Sequence, residues 1–367
     1  MKIAMIISTP FPPEEGIGFH VYNLSKNLIK RGHEISVITR GDLKYENYYF
    51  EDINVIKAPF LPLYPFHVRV HGLFISRLMK SLENEFDIIH FHNPLVPFIK
   101  TELPTVATLH GSIVEHVDSM ELIDLKSFFS KILGKTISYN ITKNIMKSSD
   151  EVLTISKSVA EQIKEYYNFD KFEIIYNGVD VNRFYPSKSK ENYLLYVGRL
   201  GHGKGIFDLL DAFKLLNNES NIKLLMAGKG ELEEKILSKI KNENICNVEL
   251  LGHVGQEDLV KFYQNALIFV FPSHYEGLPT AILEAMASGL PIVTTSVSGC
   301  KDLINDKYNG LLVPSNNPHK LYEAILHLIN NPDFREYLGK NARLSAEKEY
   351  SWNILSEKVE IKYKSLM

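Results

Sequence analysis

The sequence predicts an α/β protein of two doubly wound, Rossmann-like domains, and three observations carry that prediction. Short apolar runs alternate with segments of helical periodicity through almost all of the 367 residues, the pattern of parallel strands joined by helical crossovers. Twice, the first strand of such a series runs into a glycine-bearing loop and then a helix, at residues 9–18 and 198–205. Between the two series lies Pro186-Ser-Lys-Ser-Lys-Glu-Asn192, a polar stretch without periodicity that marks a linker. The expected division is therefore an N-terminal domain over 1–186 and a C-terminal domain over 187–349.

Composition narrows the class. Lys and Arg number 41 against 44 Asp and Glu, so no broad basic field points to nucleic acid. The two cysteines, Cys246 and Cys300, stand in no metal or redox spacing and suit a reducing cytoplasm. The apolar start at 3–7 runs into Pro10, Pro12 and Pro13, which makes it a first strand and not a secretory signal. No apolar stretch approaches about 18 residues, so a cytoplasmic chain with no membrane span is expected.

Taken in order, residues 2–8 read as a strand, 9–18 as a Pro/Gly-rich loop, 19–30 as a helix and 34–39 as a second strand. Ligands of such units bind beyond the C-terminal ends of the strands. Gly16 and Gly18 in that loop let backbone N–H groups approach a ligand with no side chain in the way. Residues 86–92 and 105–111 are further strands, and His110 falls at a C-terminal strand end beside Gly111. His90 and His92 alternate along a strand with no third ligand evident, and read as structural, not as a metal pair. Residues 119–149 read as two helices around Gly134, with Lys126, Lys131, Lys135, Lys143 and Lys147. Together with 64–82, which holds His67, Arg69, His71, Arg77 and Lys80, they offer a basic, partly apolar face suited to anionic lipid. A plain solvated helix surface is the competing reading. A strand at 151–156, a helix and a strand at 172–176 close the first series.

The second series opens with a strand at 193–197, the loop Gly198-Arg-Leu-Gly-His-Gly-Lys-Gly205 and a helix over 206–216. This is a phosphate-type loop with two cations, Arg199 and Lys204, but not a Walker A sequence. Strands at 223–227 and 248–251 and a helix at 231–240 follow. A buried strand at 266–271 leads into a turn and a helix that Gly289 and Pro291 stop, with Pro279 suited to its first position. Strands at 291–294 and 309–313 and helices at 318–330, 332–349 and 351–365 complete the chain. Glu276 lies before the 280s helix and Glu284 about a turn and a half inside it, about 12 Å apart. That spacing is too wide for a paired acid and nucleophile on one bond. It suits two hydroxyl-bearing ends of one elongated ligand, with phosphate at the helix N-terminus between them.

Glu276-Gly-Leu-Pro-Thr-Ala-Ile-Leu-Glu284 resembles the Glu-x7-Glu motif of the retaining nucleotide-sugar glycosyltransferases of family 4, and the resemblance extends over nearly the whole chain. It implies the GT-B fold: two Rossmann-like domains facing across a cleft, with the final helix, 350–367, returning to the first. It implies donor contacts from Arg199 and Lys204 to the diphosphate, which the loop of Gly16 and Gly18 also approaches together with the acceptor, from Glu284 to ribose hydroxyls and from Glu276 to a hexose hydroxyl. Gly277, Leu278, Pro279 and Thr280 would add backbone amides, and His253 and Val254, in Gly252-His-Val254, would line the nucleobase. His110, in Thr105-Val-Ala-Thr-Leu-His-Gly111, resembles the family histidine beside the donor sugar, and Asn177-Gly-Val-Asp180 the signature at the end of the first domain. Two departures stand out: Glu15-Gly16 where the family has Gly-Gly, and Ser298-Gly-Cys-Lys-Asp302 in place of Gly-Ile-Pro-Glu.

The resemblance implies hexosyl transfer from a UDP- or GDP-sugar to a glycan, glycolipid or lipid-linked hydroxyl acceptor, with no cofactor. No Asp-x-Asp occurs in the chain, so no essential metal is expected. Rival readings are a GT-B nucleotide-sugar epimerase, which lacks the Glu-x7-Glu arrangement, and a non-catalytic nucleotide-sugar-binding protein, against which the full set of Arg199, Lys204, Glu276 and Glu284 argues.

Overall fold

Every second residue of β1 (Lys2–Ile6) faces one of two apolar layers, as the two-residue period of a strand covered on both faces requires. Ile3 and Met5 pack with Val21, Leu24 and Val37 on one side, and Ala4 and Ile6 with Ile38, Ile75 and Ile89 on the other. The computed structural model describes residues 1–14, 16–63, 66–93, 96, 99–111, 125–217 and 219–367, without the side chains of 125–135. From β1 the chain passes through α1 (Gly16–Lys30), β2 (Glu34–Arg40), β3 (Glu46–Phe50), β4 (Ile53–Ala58), α2 (His67–Leu82), β5 (Ile88–Asn93) and β6 (Thr105–Leu109). It continues through α3 (Leu125–Ser148), β7 (Glu151–Thr154), α4 (Lys157–Tyr167) and β8 (Glu173–Ile174). The sheet order is β3-β4-β2-β1-β5-β6-β7-β8, parallel except for β3. Succession reverses between β1 and β5, the switch point at which an open parallel sheet leaves a crevice for ligands.

The second series holds β9 (Tyr193–Val197), α5 (Ile206–Leu216), β10 (Lys223–Ala227), α6 (Glu233–Asn242), β11 (Val248–Gly252), α7 (Gln256–Asn265) and β12 (Ile268–Phe271). After them come α8 (Thr280–Ala287), β13 (Ile292–Thr295), α9 (Ser298–Lys301), β14 (Leu311–Val313), α10 (Pro318–Asn330) and α11 (Pro332–Glu349). Strand order is β11-β10-β9-β12-β13-β14, all parallel, which puts the switch point between β9 and β12. Pro318 and Pro332 open their helices, where a missing N–H costs nothing. Among the described residues no helix is long and apolar enough to cross a membrane.

The last helix, α12 (Trp352–Ser365), belongs to the first unit, which comprises Met1–Asn177 and Trp352–Met367; the second unit is Gly178–Ser351. The polar linker and the family resemblance place the breaks at 186/187 and 349/350. The hydrogen bonds explain the shift: Arg343 Nη1 donates to the carbonyls of Val181 and Phe184 at 3.0 and 2.7 Å, so 178–185 travels with the second unit. Asn177, by contrast, bonds His20 in the first.

A buried carboxylate fixes α12 to the turn between α1 and β2. Glu360 meets Lys364 at 2.6 Å, Arg31 at 2.6 Å and His33 at 3.2 Å. Lys364 first, then Arg31 and His33, hold the Glu360 carboxyl down to about 2. Glu360→Gln should cost about 1–3 kcal/mol of stability at pH 7 by urea unfolding. The folded pKa lies below the unfolded value of 4.5, so the wild-type advantage is present above that value. It should be lost as the pH falls from 4.5 toward 2.

Several elements depart from the sequence reading. Helix α1 starts at Gly16, three residues before the expected Phe19, so Gly16 and Gly18 sit in its first turn. Gly18 is buried against Pro13, where a Cβ would come within 3.2 Å of two proline carbons. Helix α3 runs unbroken through Gly134, since one glycine costs only about 1 kcal/mol against a cooperative helix. Residues 119–124 of that expected pair lie outside the described residues, as do Glu15, Tyr64 and the side chains of Lys126, Lys131 and Lys135. Pro279 is the N-cap of α8 and not its first helical residue. The β3–β4 hairpin and α7 were missed; β3 is largely exposed, and so lacks the apolar run that betrays a core strand.

Candidate functional site

In the second unit the predicted residues collect at the C-terminal ends of the strands. The loop after β9 and the loop after β12 flank the switch point and are laced together. His274 N–H donates to the Gly203 carbonyl at 2.8 Å, with Ser273 Oγ 3.0 Å from the same oxygen. Gly205 makes the approach possible: its φ is +63°, and a Cβ there would fall 1.9 Å from the Pro272 carbonyl oxygen. Only glycine satisfies both conditions.

This lacing brings Lys204 Nζ to 2.5 Å from Glu276 Oε1, which also accepts from Ser273 Oγ at 2.6 Å. Glu276 is buried and Lys204 half-buried. The ammonium also lies 5.9 Å from the Phe271 ring centroid. Gly299 backs the loop: its N–H donates to the Glu276 carbonyl at 3.2 Å, and a Cβ would stand 2.6 Å from the Glu276 and Gly277 carbonyl oxygens. The altered Ser298-Gly-Cys-Lys-Asp302 segment thus keeps the glycine that the packing demands. Leu278 and Pro279 are buried under the turn and Thr280 is exposed at the start of α8. No side chain caps that helix, so its positive end faces the loop edge.

Arg199 is placed differently from Lys204. It is 72% exposed and its guanidinium pairs with Glu231 at 3.0 Å, while Glu231 Oε1 accepts from His202 N–H at 3.3 Å. Such an exposed pair contributes little to stability and exchanges readily. Sequence reasoning passed over Glu231, although Gly228-Lys-Gly-Glu231 is a second glycine-flanked charge beside the loop.

Glu284 lies in α8, half-buried. Burial pushes its carboxyl up to about 7, against the opposing pull of the Tyr263 hydroxyl and Arg183. His253 is exposed and Val254 half-buried, just past β11, at the same edge of the sheet.

In the first unit, the switch point between β1 and β5 carries a histidine cluster. His110 follows β6, its N–H bonded to the Asn93 carbonyl at 3.1 Å, and its ring is part-exposed. His20 and His92 are buried beside it, and the three offer nitrogens within 4.8 Å of one another, a spacing that would also admit a metal ion. The expectation that His92 has no third partner is thereby corrected: the crossover through α1 brings His20 to it, and β6 brings His110. His90 is structural as expected, its nitrogens bonded to Tyr363 at 2.6 Å and Thr108 at 2.7 Å. A cavity of about 550 Å³ lies at the opposite end of this sheet, lined by Lys100, Thr105, Ser148 and Asp150, and holds none of the predicted residues. The switch points are the better guide here, because the strand ends there open a crevice by topology alone.

Comparison with known proteins decides the family. Residues 180–345 match the family described as glycosyl transferases group 1, and residues 15–183 match glycosyltransferase family 4. An uncharacterised glycosyltransferase of Methanocaldococcus jannaschii is 30% identical over 100% of this chain and 99% of its own length. The chain belongs to the group 1 glycosyltransferases. Its fold is GT-B, matched by sucrose-phosphate synthase of Thermosynechococcus elongatus with a TM-score of 0.82, 21% identity and coverage of 100% and 98% of the two chains. The Anabaena protein HepE, in complex with UDP and glucose, matches this glycosyltransferase with a TM-score of 0.75 and 16% identity over 100% of both chains.

Proposed function

We propose that this glycosyltransferase moves a hexose from a nucleotide diphosphate sugar to a hydroxyl acceptor, with retention at the anomeric carbon and without a metal. The observation that carries the reading is the Lys204–Glu276 pair at the β9/β12 switch point. It sets a cation suited to diphosphate against a carboxylate suited to sugar hydroxyls, with a helix N-terminus beside them and Glu284 farther along. In this reading the entering diphosphate takes Lys204 from Glu276, which then accepts from a hexose hydroxyl. Arg199 leaves Glu231 for the phosphate oxygens.

Breaking the bond between the anomeric carbon and the leaving oxygen sends its electron pair to the diphosphate, where fixed cations stabilise the new charge. The acceptor oxygen attacks the same face and gives its proton to the departing phosphate oxygen. Gly277, Leu278, Pro279 and Thr280 frame the phosphate end, and His253 and Val254 the base. Gly16 and Gly18, at the ligand edge of the first unit, are assigned to the diphosphate and the acceptor, and His110 to the transferred sugar. Exposed Arg69, Leu73, Arg77 and Lys80 along α2 support contact with anionic lipid, and with it a lipid-linked acceptor.

The UDP and glucose bound by HepE make UDP-hexoses the first donors to try, ahead of GDP- and ADP-sugars. One donor of the panel should both raise the Tm and release free nucleotide slowly, in EDTA as well as without it. Stabilisation without turnover would move the reading to a nucleotide-sugar-binding protein. Turnover abolished by EDTA would overturn the metal-free site.

A further inference from the structure

The histidine cluster carries an inference about how His110 is presented. We propose that His92 is a positioning residue for His110: its Nδ1–H donates to His110 Nε2, so that His110 offers Nδ1–H, uncharged, to a ligand oxygen. The inference rests on the assignment of His110 to the transferred sugar and names how that residue is held.

His92 Nδ1 lies 3.2 Å from His110 Nε2, so one ring donates to the other. The second nitrogen of His92, Nε2, is buried with no hydrogen-bond partner among the described residues. An orphaned buried N–H is rarer than a bare lone pair, which puts the His92 proton on Nδ1 and makes His110 Nε2 the acceptor. A neutral imidazole whose Nε2 accepts carries its proton on Nδ1.

The rest of the cluster fixes both rings. The His90 ring lies 4.1 Å from that of His92, centroid to centroid, and is itself held at both nitrogens by Tyr363 and Thr108. His20 meets the His110 ring edge-on at 4.6 Å, and its Nδ1 is 2.5 Å from the Asn177 amide oxygen, which can only accept. His20 therefore carries its proton on Nδ1, and its bare Nε2 adds no competing donor. Loss of hydration, complete for the His92 ring and partial for that of His110, together with the neighbouring histidines keeps both below the usual histidine range and hence neutral.

The test is spectroscopic and kinetic. Tag-free, full-length protein with ¹⁵N-labelled histidine would be passed through chelator, and long-range proton–nitrogen spectra recorded without substrate. His110 would be assigned by the signals that vanish in His110→Asn. The wild type should show His110 neutral with its proton on Nδ1. His92→Asn, whose amide N–H takes the place of Nδ1–H, should keep that pattern, whereas His92→Phe should move the proton toward Nε2.

In transfer assays His92→Phe should lower kcat about tenfold at unchanged donor KM, and His92→Asn should recover most of it. The proposal is overturned by a His110 protonated on Nε2 in the wild type, or by an unchanged tautomer in His92→Phe. Equal losses in the two variants would overturn it too, as would a chelator-dependent spectrum, which would mean that a metal holds the rings. The spectra need no donor, so they test the hydrogen-bond chain separately from the function.

Discussion

Lys204→Ala is expected to lower kcat/KM for transfer by about 10²- to 10³-fold, the scale of losing one fixed charge where a leaving group gathers its negative charge. The structure makes Lys204, and not Arg199, the residue with the larger effect. Lys204 is half-buried, bonded to a buried carboxylate and carried on a loop whose path Gly205 fixes. The Arg199 guanidinium is mostly exposed and paired with an exposed Glu231, so water and salt screen it. Arg199→Ala should accordingly cost about tenfold or less. Truncating Lys204 also leaves Glu276 buried without its cation, so the variant should lose stability in the absence of donor. Lys204→Ala paired with Glu276→Gln separates the two effects: stability should return and turnover should not. Unchanged kcat/KM in Lys204→Ala, measured with the donor found in the screen, would remove the diphosphate role.

Much of this was legible in the sequence because the relevant signals are local. Glycine and proline punctuate each strand–loop–helix junction, and β9, α5, β10, α10 and α11 fall where periodicity places them. The residues assigned to the donor in the proposed function sit on two such junctions, so the alternation alone sends Lys204 and Glu276 to strand ends. What the sequence hid is pairing across the chain. Nothing local says that β9 and β12 are neighbours, and so nothing local says that Lys204 and Glu276, 72 residues apart, form an ion pair. The same holds for His20, His92 and His110, which meet only because β5 lies beside both β1 and β6. Reading His90 and His92 along their own strand could show the alternation, but not the partners that a crossover brings in.

The Glu284 carboxyl yields the second large effect, with opposite signs in two measurements. Burial raises it to about 7, and a carboxylate that accepts from two ribose hydroxyls must be ionised to do so fully. Donor affinity should therefore climb as the pH rises toward 7 and level off above it. Glu284→Gln should abolish that climb and weaken donor binding about 10- to 100-fold at pH 8, the worth of hydrogen bonds to a charged group. Stability should move the other way. The folded pKa lies above the unfolded value of 4.5, so the native state holds an extra proton between the two. The stability this contributes is full below 4.5 and is lost as the pH rises through 7. Glutamine has no proton to lose. At pH 8 the variant should thus melt above the wild type in the absence of donor, while near pH 4.5 it should show no such gain. A carboxylate kept for its ligand at the expense of the fold is the kind that produces this crossed result. A glutamine variant less stable at pH 8 and unaltered in donor affinity would make Glu284 a structural residue of α8.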